Sequence, residues 1–281
     1  MNIHLFIKGR KWDSCLLPID ENAHELILQF RIHLVRIEPG SRFYTSETQA
    51  YGDGIVHDLY GNYRLNSWTD LEWETYKRDF VNVVRRHWSD RFILDPNKPW
   101  YRPRAAIAIT PANIVCSLSI QLVETAAQAH QTYRIIHPRK TDFRSYVDEN
   151  NRSGIFTHLD LESHWNDRDT KIGRLKHSLS FLQTTVNHEF GHTLGLGHVN
   201  GAGNNDSNYG LTLEQRENQM GMGGFLTASH AKPWISRLKS HLVNQNHYDT
   251  TVHFKGRVAT MQLIEYWDND WQPPTTANKT T

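Results

Sequence analysis

The chain has 281 residues, with 31 lysines and arginines against 30 aspartates and glutamates, so its net charge of +1 argues against a protein that binds nucleic acid by neutralising phosphates. Hydrophobic residues make up 38% and charged residues 22%, a composition of soluble globular chains, and the length suffices for one large domain or two small ones. Two cysteines, Cys15 and Cys116, exclude a disulfide-rich scaffold and leave one bridge open.

Residues Met1–Lys8 hold a short apolar patch without a secretory h-region or cleavage site, so they read as a first strand rather than a signal peptide. The expectation is a protein that stays in the cytoplasm or leaves by a non-classical or specialised secretion route. No apolar run approaches the ~18 residues of a membrane span. Glu25–Glu38 alternates, with Leu26, Leu28, Phe30, Ile32 and Leu34 on one face and Gln29, Arg31 and His33 on the other; this predicts a half-buried strand that Pro39-Gly40 ends. Residues 41–67, rich in glycine and tyrosine, read as turns joining short strands. Ser67 or Thr69 caps a helix to about Ser89, with Leu71, Tyr76, Phe80, Val83, Val84 and Trp88 as its apolar stripe.

Asp95–Pro103 reads as a loop, and Ala105–Ile109, Ile114–Val123 and Tyr133–Ile136 as strands. Residues 137–153 show no periodicity and read as a surface loop, and Ile155–Leu161 as another strand. A helix is expected from near Leu179, with Leu182, Val186 and Phe190 anchoring it at four-residue spacing. After a polar loop at 199–217, Thr227 or Ser229 opens a last helix to about Leu242. Val252–Tyr266 reads as a final strand, and the tail from Trp267 as loose. The N- and C-terminal strands are expected to pair with each other in a small β layer.

The chain is organised around His188-Glu189-Phe190-Gly191-His192-Thr193-Leu194-Gly195-Leu196-Gly197-His198. On a helix, His188 and His192 stack on one face and can grip one ion. Zinc takes neutral imidazole nitrogens, and a catalytic site uses three protein ligands. Glu189 reaches a water at the metal and can take its proton, then pass it to a leaving amine. For His198 to return to the ion, the chain must leave the helix near Gly195, where a residue without Cβ adopts left-handed dihedrals cheaply; Gly197 adds freedom to the same turn. These fixed positions would coincide by accident in roughly one such chain in several thousand.

At these residues the sequence resembles the metzincin zinc peptidases, whose signature is this motif followed by a methionine-containing turn. Asn218-Gln219-Met220-Gly221-Met222-Gly223-Gly224 supplies the turn, with Met220 preferred and Met222 in reserve. The resemblance covers about residues 179–230 and implies Zn2+ on His188, His192 and His198, Glu189 as general base then acid, and Met220 as an apolar floor beneath the imidazoles. It implies an α+β zincin core: a twisted mixed sheet, a backing helix, an active-site helix and a C-terminal helix, here with extra N- and C-terminal strands. Residues 155–161 fall where the family has the sheet's edge strand, which can pair with an extended substrate. Val199 after the third histidine, and Met222 or Gly224 where some branches carry a tyrosine ligand, match no familiar subfamily.

The expected organisation is a β-rich region at 1–66, a catalytic domain at 67–245, and a C-terminal strand and tail at 246–281. The expected activity is zinc-dependent endopeptidase action on a protein or peptide substrate, in the manner of a bacterial effector or toxin, with an inhibitor or delivery machinery as further partners. The alternatives are a non-catalytic, zinc-stabilised binding module and a metal-dependent hydrolase of a non-peptide amide. His57, His137, His158, His164, His177 and His230 lack ligand spacing and read as surface or structural histidines. Asp206 reads as a turn or a calcium loop, and Tyr209 as a residue that could swing toward the metal. Asp53, flanked by glycines, reads as a turn that loosely resembles the zinc-blocking aspartate of astacin-like pro-segments.

Overall fold

The computed structural model describes residues 6–19, 23–98, 104–105, 108–109, 113–244, 250–263 and 266–270. Its first strands are β1 (Phe6–Ile7), β2 (Asp13–Pro18), β3 (Ala23–Arg36), β4 (Arg42–Tyr44), β5 (Thr48–Tyr51), β6 (Ile55–Asp58) and β7 (Gly61–Arg64), followed by helix α1 (Asp70–Trp88). The middle holds β8 (Phe92–Pro96), β9 (Arg104–Ala105), β10 (Ala108–Ile109), β11 (Asn113–Leu122), β12 (Gln131–Ile136), β13 (Tyr146–Asp148) and β14 (Ser153–Thr157). Then come β15 (Ser163–Ile172), β16 (Leu175–Thr184), α2 (Thr185–Thr193), α3 (Leu213–Arg216), α4 (Lys232–Asn244), β17 (Phe254–Val258) and β18 (Tyr266–Asp268). The chain is thus a mixed α+β protein with several sheets and few helices. Its contacts group into two compact units that cut across the linear division at 66 and 245.

The first unit comprises Met1–Glu162, Thr184–Leu196 and Leu226–Gln262. It is built on a mixed sheet in the order β13-β14-β12-β3-β11-β8-β17, with β2 also on β3. β3 forms because its alternation is unbroken: His24, Leu26, Leu28, Phe30, Ile32 and Leu34 are all buried. It runs parallel to β11 and β12 and antiparallel to β2, so it lies inside the sheet. α1 starts at Thr69 with a reciprocal capping box to Glu72, and buries Tyr76, Phe80, Val84 and Trp88. Leu71, read as part of that stripe, is 79% exposed, because it lies in the first turn beyond the covered face. β4–β7 form the separate small sheet expected from the glycine-rich stretch, packed over Phe43, Val56, Tyr63 and Ile155. Thr227 caps a short 3₁₀ turn that leads into α4, whose Trp234, Leu238, His241 and Leu242 are buried.

The second unit comprises Ser163–Gln183, Gly197–Phe225 and Leu263–Thr281. A three-stranded sheet in the order β15-β16-β18 carries a core of Leu179, Phe181 and Met222, against which Ile172, Tyr209 and Leu213 pack.

Several expectations are corrected. The helix does not begin near Leu179: residues 175–184 are strand β16, which pairs with β18 through Leu179, Ser180 and Phe181, and α2 starts only at Thr185. Residues 92–96 form β8 rather than a loop from Asp95, and 146–148 form β13 within the expected surface loop. Consequently β14 is not the sheet edge, because β13 pairs outside it. The expected single strand at 252–266 is two, β17 on β8 and β18 on β16. The terminal strands therefore pair with these partners and not with each other. Cys15 and Cys116 are buried free thiols. The start of the first strand (1–5), the end of the expected loop (99–103) and the tail from 271 lie outside the described residues.

Candidate metal centre

α2 is a short helix held hard in place. Val186 and Phe190 are fully buried, and the Phe190 ring lies 5.1 Å from Phe30 of β3. Trp88 of α1 donates its indole N–H to the Asn187 carbonyl at 3.2 Å, and the Tyr133 and Thr193 hydroxyls are bonded at 2.6 Å. The first turn is tied down by the Val186 N–H donating to the Asp160 carbonyl at 3.0 Å. The helix cannot roll without breaking buried hydrogen bonds, so its polar face is fixed.

On that face the His188 and His192 rings meet edge to face, with centroids 5.0 Å apart. The helix then stops in a Schellman motif. Gly195 takes φ +83°, its N–H donates to the His192 carbonyl at 2.8 Å, and the Leu196 N–H donates to the Gly191 carbonyl at 3.0 Å. This is the exit expected at Gly195. Gly197, by contrast, has no positive φ, so the turn does not depend on its freedom. Ring nitrogens of His188, His192 and His198 lie within 4.8 Å of one another, and the cluster can hold a metal ion.

Two of the rings have their tautomers set by backbone. His192 Nδ1 is 2.8 Å from the Leu196 carbonyl, and His198 Nδ1 is 2.8 Å from the Gly203 carbonyl. A carbonyl only accepts, so both Nδ1 atoms carry the proton and both lone pairs sit on Nε2, the form a metal ligand needs. Burial lowers the pKa of His192 further, helped by the charge of Arg144 and opposed by the Leu196 carbonyl, so the ring is held neutral. The His198 ring also lies against Tyr209, with centroids 4.1 Å apart.

Glu189 shares its surroundings with residues of the 142–160 region. Burial first, then the neighbouring Asp160 carboxylate, push its pKa up to about 8, while Arg144 and the Val147 backbone N–H pull the other way. Asp160 is itself raised to about 6 by burial, against hydrogen bonds from Ser145 and Thr157. A dication held by the three imidazoles would favour the ionised form of Glu189. Arg144 reaches the site from a loop, its guanidinium donating to the Tyr60 hydroxyl at 2.9 Å. Sequence reading assigned nothing to Arg144, Val147 or Asp160, and no local spacing marks them.

The methionine turn is tight. A Cβ on Gly221 would lie 2.2 Å from the Gln215 carbonyl oxygen, and one on Gly223 would lie 2.4 Å from that of Glu217. Gln183 of β16 donates to the carbonyls of both glycines, at 3.2 and 3.1 Å. Met220 and Met222 are both buried but differ in company. Met222 belongs to the second unit's core, whereas the Met220 carbonyl accepts from the N–H of Val199, the residue after His198, at 3.3 Å.

Asp206 is not a cation ligand. Buried Arg216 grips it with two nitrogens and Arg168 lies 3.1 Å away, so its pKa is lowered chiefly by the Arg216 hydrogen bonds. Asp53 accepts from the Ile55 N–H across its own turn at 3.1 Å, and it is not a member of the histidine cluster. Among the described residues, His177 alone of the remaining histidines joins a group able to hold a metal, with Asp268 and Asp270. No helix among the described residues is long and apolar enough to cross a membrane.

Comparison of the chain with protein-family models, curated proteins and solved structures gives no match.

Proposed function

We propose that this chain is a zinc-dependent endopeptidase with a metzincin-like site, in which His188, His192 and His198 hold the ion and Glu189 handles protons. The observation that carries the proposal is the three-imidazole cluster on a Gly195-terminated helix, with the Nδ1 protons of His192 and His198 turned to carbonyls. A site that only stabilised a fold would have no use for a glutamate beside the first ligand, whereas a site that activates water needs a group to take its proton. Zinc bound here would polarise a scissile carbonyl and acidify a water.

Glu189 takes a proton from the attacking water at a carboxylate oxygen and returns it to the departing amine nitrogen. The Val147 N–H orients that carboxylate. β13, the outermost strand beside β14, offers backbone groups with which an extended peptide can pair. Met220 supports the loop that carries His198 through its bond to Val199.

The test is proteome-wide cleavage profiling with purified protein beside Glu189→Ala, both assayed for bound zinc. Cleavage products specific to the unmodified protein, with equal zinc in both, are expected. A zinc-loaded protein that cuts no peptide would refute the endopeptidase reading, in favour of a zinc-stabilised binding module or a hydrolase of a non-peptide amide.

A further inference from the structure

A second group of metal-ligating side chains lies wholly within the second unit. β16 and β18 are antiparallel, with Leu179 opposite Asp268. Asp268 ends β18, and the turn that follows brings the Asp270 side chain back onto the Ser178 N–H of β16, the neighbour of His177. One donor atom from each of the three lies within 4.8 Å of the others.

Each carboxylate is steered by backbone. The Ser178 N–H donates to Asp270 Oδ2 at 2.7 Å, and the Asp270 N–H donates to Asp268 Oδ1 at 2.9 Å. The second oxygen of Asp268, Oδ2, lies 3.1 Å from His177 Nδ1. Yet that nitrogen is buried and makes no hydrogen bond, so the two atoms approach without pointing at each other. A simple ion pair would align them. An ion held among the three donors would give that nitrogen the partner it lacks.

We propose that His177, Asp268 and Asp270 form a second site, for a divalent first-row transition-metal ion, which clips β18 to β16. The donor set decides the class. An imidazole nitrogen with two carboxylates suits zinc or manganese, whereas calcium and magnesium prefer oxygen throughout. Three protein donors and two negative charges neutralise the ion and leave its remaining positions to water. The role is structural: β18 is three residues long, and a metal clip holds it where few backbone bonds can. The site is independent of the peptidase reading, because its ligands and the His188 cluster share no residue.

The experiment uses the full chain stripped with chelator, then dialysed against Zn2+ or, separately, Mn2+. Diffraction at each metal's absorption edge should give an anomalous peak between His177, Asp268 and Asp270. The double substitution Asp268→Asn with Asp270→Asn should bind about one ion fewer per chain, while His192→Ala keeps that ion. Peptide hydrolysis plays no part in these readouts, so a failed peptidase assay leaves them interpretable. No anomalous peak at this position with either metal at millimolar concentration overturns the proposal, even if the double variant does not fold. Equal metal content in the double variant and the unmodified chain also overturns it.

Discussion

Gly195→Ala tests the turn on which the whole site hangs. A Cβ at this position would meet nothing closer than 3.9 Å, where Glu149 Oε2 and Lys11 Nζ stand, so sterics with the surroundings are no obstacle. The penalty comes from the dihedral alone: φ +83° for an L-residue costs about 1–2 kcal/mol. Asparagine tolerates this region better than alanine, so Gly195→Asn should lose clearly less. The strain falls on the two hydrogen bonds that close the helix and on the Leu196 carbonyl that holds His192 Nδ1. Urea denaturation with chelator present should show alanine about 1–2 kcal/mol less stable than the unmodified chain. Full stability in the alanine variant, or an asparagine variant no better than alanine, would refute the reasoning.

His192→Ala should lose the triad's zinc, and metal analysis finding it retained would sink the ligand assignment. Glu189→Ala should keep zinc and fold while peptide hydrolysis drops by roughly two or more orders of magnitude, the worth of a positioned general base; an equally active variant would move the proton to another residue. Met222→Ala, which empties the second unit's core, should lower thermal stability by about 2–5 kcal/mol, whereas Met220→Ala should chiefly weaken zinc retention; the opposite pattern would exchange their roles. His230 and His241 are almost fully enclosed, and burial first, then Lys232 and Arg237 respectively, lower each from 6.5 to about 4. A depressed folded pKa gives stability that is full above pH ~6.5 and lost as pH falls toward 4, by about 3 kcal/mol per histidine. Because the raised carboxyls of Glu189 and Asp160 give the opposite trend, the check is the urea midpoint of the unmodified chain against His241→Gln, with chelator, at pH 7, 5.5 and 4; a difference that does not change with pH would refute it.

The parts of the fold legible in the sequence are those whose signal is local. β3 could be read because fourteen residues alternate without a break, and α1 because Thr69 and Glu72 cap it reciprocally. β16 departs from the expected helix because two periods overlap there. Leu182, Val186 and Phe190 recur at helical spacing, while Leu179 and Phe181 alternate, and the strand passes into α2 without a turn to mark the change. β15 carries no apolar pattern, since nearly all its residues are exposed or half-exposed. β13 is three residues long and is held by distant partners, among them the Tyr146 hydroxyl on Thr45 at 2.7 Å. No window centred on residues 146–148 contains that information.

The same distinction divides the site. His188, His192, Gly195 and His198 lie within one helix and its exit, where α-helical geometry and one left-handed residue determine the ligand face, so spacing alone exposes them. What tunes those ligands is less visible. Leu196 and Gly203 act through carbonyl oxygens that any residue would supply, so their identities carry no signal. Arg144, Val147 and Asp160 reach Glu189 only because β13, β14 and the turn after it bring a segment from roughly thirty to forty-five residues upstream against α2. His177 illustrates the same limit more sharply. Read by spacing, it is an isolated surface histidine; across the β16–β18 pair it faces two carboxylates from the far end of the chain. A ligand set assembled by strand pairing has no sequence period. It becomes visible only once the register is known, and the register here depends on a strand whose few residues give no pattern of their own.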